Sequence, residues 1–358
     1  MEEKYDQELD CQVEEPYDQT VVTQESFQLK SARKEFSRVG FAYLLTTIVY
    51  NGGQILCAFL AAMFYPQALE SMDSAMAVQM LPTYLICVPI IIWMISRLPA
   101  TIPERKSIKP VEFIGAMPCV YVVVILSNIV GLLITQILGN MMDHQVANQV
   151  VSLVGEMSPF MSLLVMVICA PIAEELIFRK LLVTRTLKYG EGVSVVLSGL
   201  MFGLFHGNIN QFAYAFTFGC FLAFLYVKTG NIKVTIALHA FVNFLGSVAI
   251  QLLGSAFDME EITNTIEELT NAGAVEELNL YVQQNFSAFA CYGGYGLFIV
   301  GLIVFGIILL ILGRKRIKLS QGEVVIPKGK KFAAIVLNPG MLLYIAAWLG
   351  TIIYQTML

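Results

Sequence analysis

Ala290 to Gly313 reads ACYGGYGLFIVGLIVFGIILLILG, 24 residues without a charge, closed by Arg314-Lys315-Arg316. A helix rises ~1.5 Å per residue, so this run alone covers the ~30 Å hydrocarbon core of a bilayer. It lacks the alternation of apolar and polar residues over about ten positions that a membrane barrel strand shows. The run is a membrane helix, and it decides the class of the whole chain. Comparable runs stand at 39–64, 79–96, 112–139, 157–183, 192–206, 211–228, 232–253 and 332–357. That makes nine candidate spans, with 192–206 short for a full crossing. The composition agrees: 57% of the 358 residues are hydrophobic, 14% are charged, and mean hydropathy is +0.70. Soluble domains carry about one-quarter charged residues. The expected fold is all-α, a polytopic transmembrane helix bundle of eight to nine spans with an intramembrane cavity.

The basic residues order the spans. All 22 Lys and Arg can be assigned to one face of a nine-span path. They lie at 4–38, 97–109, 179–188, 228–233 and 314–331, whereas 65–78, 140–156 and 254–289 carry acids and no Lys or Arg. Positive residues mark the cytoplasmic side, which predicts an N-terminus inside, a C-terminus outside and a multi-pass protein of the plasma membrane.

Residues 1–37 read as an acidic cytoplasmic tail with a basic juxtamembrane end; the first 29 hold nine acids and one lysine, and are expected to be disordered and not a cleavable signal. Residues 38–153 read as N-terminal membrane helices, 154–253 as the chemical core and 290–358 as C-terminal helices. Between them, 254–289 is an extracytoplasmic acidic loop. Met259, Ile262, Ile266 and Leu269 share one helical face opposite Glu260, Glu261, Glu267 and Glu268, as in an amphipathic helix capping the bundle. The seven cysteines are scattered without a CxxC pair, which argues against a disulfide framework or a cysteine-zinc cluster. The chain shows no repeat of the kind that builds many transporters.

Carboxylates enter the interior of one span only. Glu174 and Glu175 lie in the fourth, within Ala170-Pro-Ile-Ala-Glu-Glu-Leu-Ile-Phe-Arg179. An ionisable group at that depth is costly and marks function by default. His206 ends the fifth span, and His239 and Asn243 lie four residues apart on one face of the seventh. Each has a bland reading. Glu175 and Arg179 are spaced as a structural ion pair, and a lone His or Asn often joins two membrane helices. Together they are harder to dismiss, because Arg179 can neutralise one acid and leaves Glu174 in need of a partner. Counting rise from the basic ends sets Glu174 ~15 Å, His206 ~20 Å, and His239 and Asn243 ~10–15 Å deep, so the four can meet. Gly199, Gly203 and Gly207 recur every four residues, a pattern that lets helices approach closely.

Glu174-Glu175-xxx-Arg179, Phe202-xxx-His206 and His239-xxx-Asn243, in this order on apolar spans, resemble the CPBP family of CAAX-prenyl and bacteriocin-processing or immunity ("Abi") intramembrane proteases. The resemblance covers roughly 155–250. It implies a glutamate-type endopeptidase in which Glu174 and His206 activate water and His239 and Asn243 stabilise the oxyanion. Glu175 and Arg179, with Phe202, would support them. It implies a hydrophobic or lipid-attached peptide substrate in the bilayer, no nucleic acid and no cofactor. A zinc ion held by Glu174, His206 and His239 is the mechanistic alternative. A transporter, or a non-catalytic immunity scaffold using the same polar cavity, is the functional one. From the depth count the cavity is expected to open to the cytoplasm, with a lateral gap among spans four, five and seven.

Overall fold

The computed structural model describes residues 19–142, 146, 149–327 and 329–357. Those residues form an all-α bundle with no strand; one isolated antiparallel bridge joins Gly190 to Gln321. The nine expected spans appear in order. They are α1 (Gln19–Phe64), α2 (Met72–Ser96), α3 (Pro110–Met142), α4 (Pro159–Tyr189), α5 (Glu191–Phe205), α6 (Ile209–Thr229), α7 (Ile232–Phe257), α8 (Phe286–Gly313) and α9 (Pro339–Met357). Eight are long and apolar enough to cross a membrane, and α5, at 15 residues, is not. Local chemistry sets their starts. Ser158 accepts the Met161 N–H ahead of Pro159 in α4, Asn208 accepts the Gln211 N–H in α6, and Asn231 accepts the Lys233 N–H in α7.

The loops sort to two ends, as the charges predict. At the basic end, Lys188 pairs with Glu35 at 2.6 Å, and Lys228 pairs with Glu191. The Thr101 and Lys106 N–H groups donate to the Thr184 and Thr229 carbonyls. The 314–331 strap folds under the same end, with Val324 N–H on the Lys188 carbonyl and Ile326 buried. At the opposite end the Ser158 N–H donates to Asp73 at 2.8 Å, and Gln251 donates to the Met157 carbonyl at 3.0 Å.

The glycine pattern works at two of its three positions. A Cβ on Gly199 would lie 2.6 Å from the Phe216 carbonyl oxygen, and one on Gly203 would lie 3.1 Å from that of Phe212, so α5 and α6 cross nearly backbone to backbone. Gly207 is different. It lies past the end of α5 with φ +68°, where the chain turns left-handed against Trp348 before α6 begins. Gly199→Val therefore overpacks the crossing and lowers detergent stability by at least about 1–3 kcal/mol. Gly246→Ala, where an added Cβ meets nothing within 4 Å, serves as the control in the same thermal melt.

Three expectations change. The continuous helix of α1 begins at Gln19, so 19–29 are helical where composition predicts disorder; once a span is formed, each added residue gains a hydrogen bond without a new nucleus. The part of the tail before Gln19 lies outside the described residues. The last span is not one helix over 332–357 but a short turn, Lys331–Ile335, and then α9. Pro339 has no N–H to continue a helix, and Asn338 caps the new start at the Met341 N–H. The 254–289 loop holds two helices, Met259–Asn271 and Val275–Gln284. The first keeps the expected face: Ile262 is buried and the four glutamates are exposed. The six cysteines among the described residues are unpaired.

Candidate active site

An irregularity in α4 sets the positions of the two glutamates. Wide π-helical turns occupy Leu163–Cys169 and Glu175–Val183, on either side of the regular turn that carries Glu174. Such turns shift side chains around the axis and recur at functional sites. In a regular helix neighbours diverge by about 100°, yet here both glutamates reach one imidazole. His239 of α7 faces Glu175 Oε1 through Nδ1 at 3.0 Å and Glu174 Oε2 through Nε2 at 3.7 Å. A carboxylate oxygen only accepts, so Nδ1 carries a proton and Nε2 is turned to Glu174.

Glu175 also pairs with Arg179, Nε to Oε2, at 3.2 Å, and both side chains are fully buried. The guanidinium lies 4.2 Å over the Phe202 ring. The i,i+4 pair is thus structural as read from the sequence, and it also anchors His239 through Glu175. Phe202 is the common wall: its ring meets His206 edge-on at 4.7 Å and His239 at 5.9 Å.

His206 caps the end of α5. Its Nδ1 lies 2.8 Å from the Phe202 carbonyl oxygen, which can only accept, so Nδ1 is protonated and Nε2 keeps its lone pair. Asn243, one turn beyond His239, donates its amide to the Met166 carbonyl at 2.8 Å. The reason lies in α4. The Ala170 N–H bonds back to Val165, and Pro171 has no N–H, so the Met166 carbonyl lacks its helical donor. A proline on one span therefore positions an asparagine on another.

Glu174, His206, His239 and Asn243 line one cavity of about 350 Å³. Glu174 is 17% exposed and its Oε2 has no hydrogen-bond partner among the described residues. The four residues expected to converge do converge; Glu175 and Arg179 lie behind them in the core. Gln211 and Tyr214 of α6, Asn128 of α3 and Ser247 of α7 share the cavity wall and were missed. Their signal was available: each is an uncharged polar residue in an apolar span, and Gln211 and Tyr214 share a helix face.

One expectation reverses. The cavity does not run to the basic end. It extends from Glu174 and His239 past Asn243 to Ser247 and Val154, toward the acidic-loop end. On the basic side Phe178, Leu182, Leu222 and Val234 belong to the buried core. A rise count locates a residue along its helix but does not say on which side its neighbours close. Glu174, His206 and His239, the ligand set of the zinc alternative, line this same cavity.

Residues 156–245 match the family described as Type II CAAX prenyl endopeptidase Rce1-like. Through this stretch the chain is similar to CPBP family proteins. CAAX prenyl protease 2 from Homo sapiens is 31% identical over 104 residues, covering 23% of this chain and 32% of that protein. The match thus spans about a third of the curated relative's length. No solved structure matches significantly. All seven residues named by the sequence reading, from Glu174 to Asn243, fall inside the matched stretch, while α1, α2, α3, α8 and α9 lie outside it.

Proposed function

We propose that this protein is an intramembrane endopeptidase that hydrolyses a peptide bond of a membrane-associated, hydrophobic or prenylated peptide. One observation carries the reading: a glutamate whose Oε2 makes no hydrogen bond, a histidine with a free Nε2, a second histidine and an asparagine line a single cavity in an apolar bundle. Hydrolysis needs a water, a base and donors for the oxyanion. Glu174 and His206 Nε2 hold and deprotonate the water. The hydroxide attacks the carbonyl carbon, and charge gathers on its oxygen. His239, carrying a proton on each ring nitrogen, donates to that oxygen through Nε2, together with the Asn243 amide. Glu174 then returns the proton to the leaving nitrogen as the C–N bond breaks. Glu175 holds the Nδ1–H of His239 and stabilises the charged ring, and Arg179 balances Glu175. No step uses a metal.

The test is a comparison of membrane peptides between cells carrying the wild-type chain and cells carrying Glu174→Gln at equal level. Specific uncut precursors should accumulate with Glu174→Gln. Identical peptide populations would remove the enzyme reading and favour a scaffold.

We read the basic end as cytoplasmic and the membrane as the plasma membrane, which turns the cavity toward the outside. A reporter after Gly273 is then extracytoplasmic and one after Gly329 cytoplasmic. In a background free of the native cysteines, Gly246→Cys, on the cavity wall with space around it, reacts with a membrane-impermeant thiol reagent from outside. Labelling from the cytoplasmic side alone would show that substrate enters past the basic loops.

A further inference from the structure

The chain of side chains that begins at the cap of α6 has a fixed direction. Asn208 Oδ1 accepts the backbone N–H of Gln211 at 2.8 Å, so the Asn208 amide nitrogen must be the other atom, and it donates to Gln211 Oε1 at 2.6 Å. That in turn assigns Gln211 Nε2, which donates to the Tyr214 hydroxyl at 2.8 Å. Each choice follows from the one before, because a backbone N–H can only donate. The Tyr214 oxygen is therefore an acceptor inside the protein, and its own proton has no acceptor among the described residues. Gln211 and Tyr214 both line the cavity that holds Glu174, His206, His239 and Asn243.

We propose that Tyr214 is a further hydrogen-bond donor of this site, its proton turned into the cavity by the Asn208–Gln211 relay and given to the carbonyl oxygen of the scissile peptide bond. The inference rests on the endopeptidase reading. Asn243 has one of its two amide protons committed to Met166, so a donor from a different helix gives the oxyanion a second direction of support. Tyr214 reaches the cavity from α6, whereas Asn243 reaches it from α7. The relay also makes α6 a specificity wall: Gln211 is held at both ends of its amide and cannot turn to a substrate group without releasing Tyr214.

Two substitutions separate this role from simple packing. Tyr214→Phe removes one oxygen and its proton. Gln211→Glu keeps Tyr214 but reverses the relay, since a carboxylate accepts from Asn208 and from Tyr214, drawing the tyrosine proton out of the cavity. The full-length chain in proteoliposomes is assayed with two quenched fluorescent peptides, one farnesylated and one hydrophobic without lipid. Losing one oxyanion donor costs about 10²–10³ in rate. Tyr214→Phe should lower kcat by at least about tenfold with KM little changed, as for an interaction made in the transition state. Gln211→Glu should match it, and the double variant should be no worse than either. Thermal melts should stay near wild type. An unchanged kcat in Tyr214→Phe, a rise in KM alone, or additive losses would each overturn the proposal while leaving the endopeptidase reading intact. Failure of the wild type to cleave either peptide would count against the endopeptidase reading, and the donor role would fall with it.

Discussion

Glu174→Gln and His206→Ala in the reconstituted chain each lower turnover by at least about 10³–10⁴, the upper range for a lost general base, and leave the fold intact. Both groups act on the same water, so the double variant is barely worse than either single one. Glu174 has room for the change because its Oε2 has no hydrogen-bond partner among the described residues and the residue lines the cavity. Asn243→Ala behaves differently. It loses one donor, worth about 10²–10³, and leaves a measurable residue of activity. It also strips the Met166 carbonyl of its donor, so a modest drop in melting temperature accompanies it. Initial rates on a peptide that the wild type cleaves give the comparison. Equal, complete loss in Asn243→Ala, in a folded protein, would move Asn243 to the water-activating group.

Arg179→Met produces the largest expected loss of stability. Arg179 and Glu175 are buried completely and pair at 3.2 Å, beyond the reach of bulk water. Removing one member of such a pair strands the other charge and costs about 3–5 kcal/mol. His239 and the Thr235 hydroxyl then remain against Glu175. Arg179→Lys keeps the charge but loses the flat face against Phe202, and falls between. Glu175→Gln/Arg179→Met recovers part of the loss, because no bare charge remains. Thermal unfolding in detergent reads all three. A single Arg179→Met within about 1 kcal/mol of wild type would mean that Glu175 is protonated or reached by solvent, and that the pair does not organise the core.

The charge pattern and the apolar runs determined nearly the whole layout. Nine segments, their order and the gathering of every described basic loop at one end follow from hydropathy and from the cost of carrying Lys or Arg across hydrocarbon. The convergence of Glu174, His206, His239 and Asn243 was also legible, because ionisable and strongly polar groups inside a membrane must find each other or water. Pro339 and Asn338, which divide the last span, were visible but outweighed by continuous hydropathy, a measure blind to missing N–H groups.

What the tertiary structure alone decided is direction. Which carboxylate stays buried and which faces the cavity depends on the π-helical turns of α4, and these appear only when other helices satisfy the freed carbonyl groups, as Asn243 does for Met166. The end toward which the cavity extends depends on which neighbours pack beneath Glu174 and His239, namely Phe178, Leu182, Leu222 and Val234, drawn from three separate helices. Hydropathy and spacing are properties of one segment and survive without partners. Direction is a property of the contacts between segments, set by side-chain volumes and hydrogen-bond donors that meet only in the folded bundle.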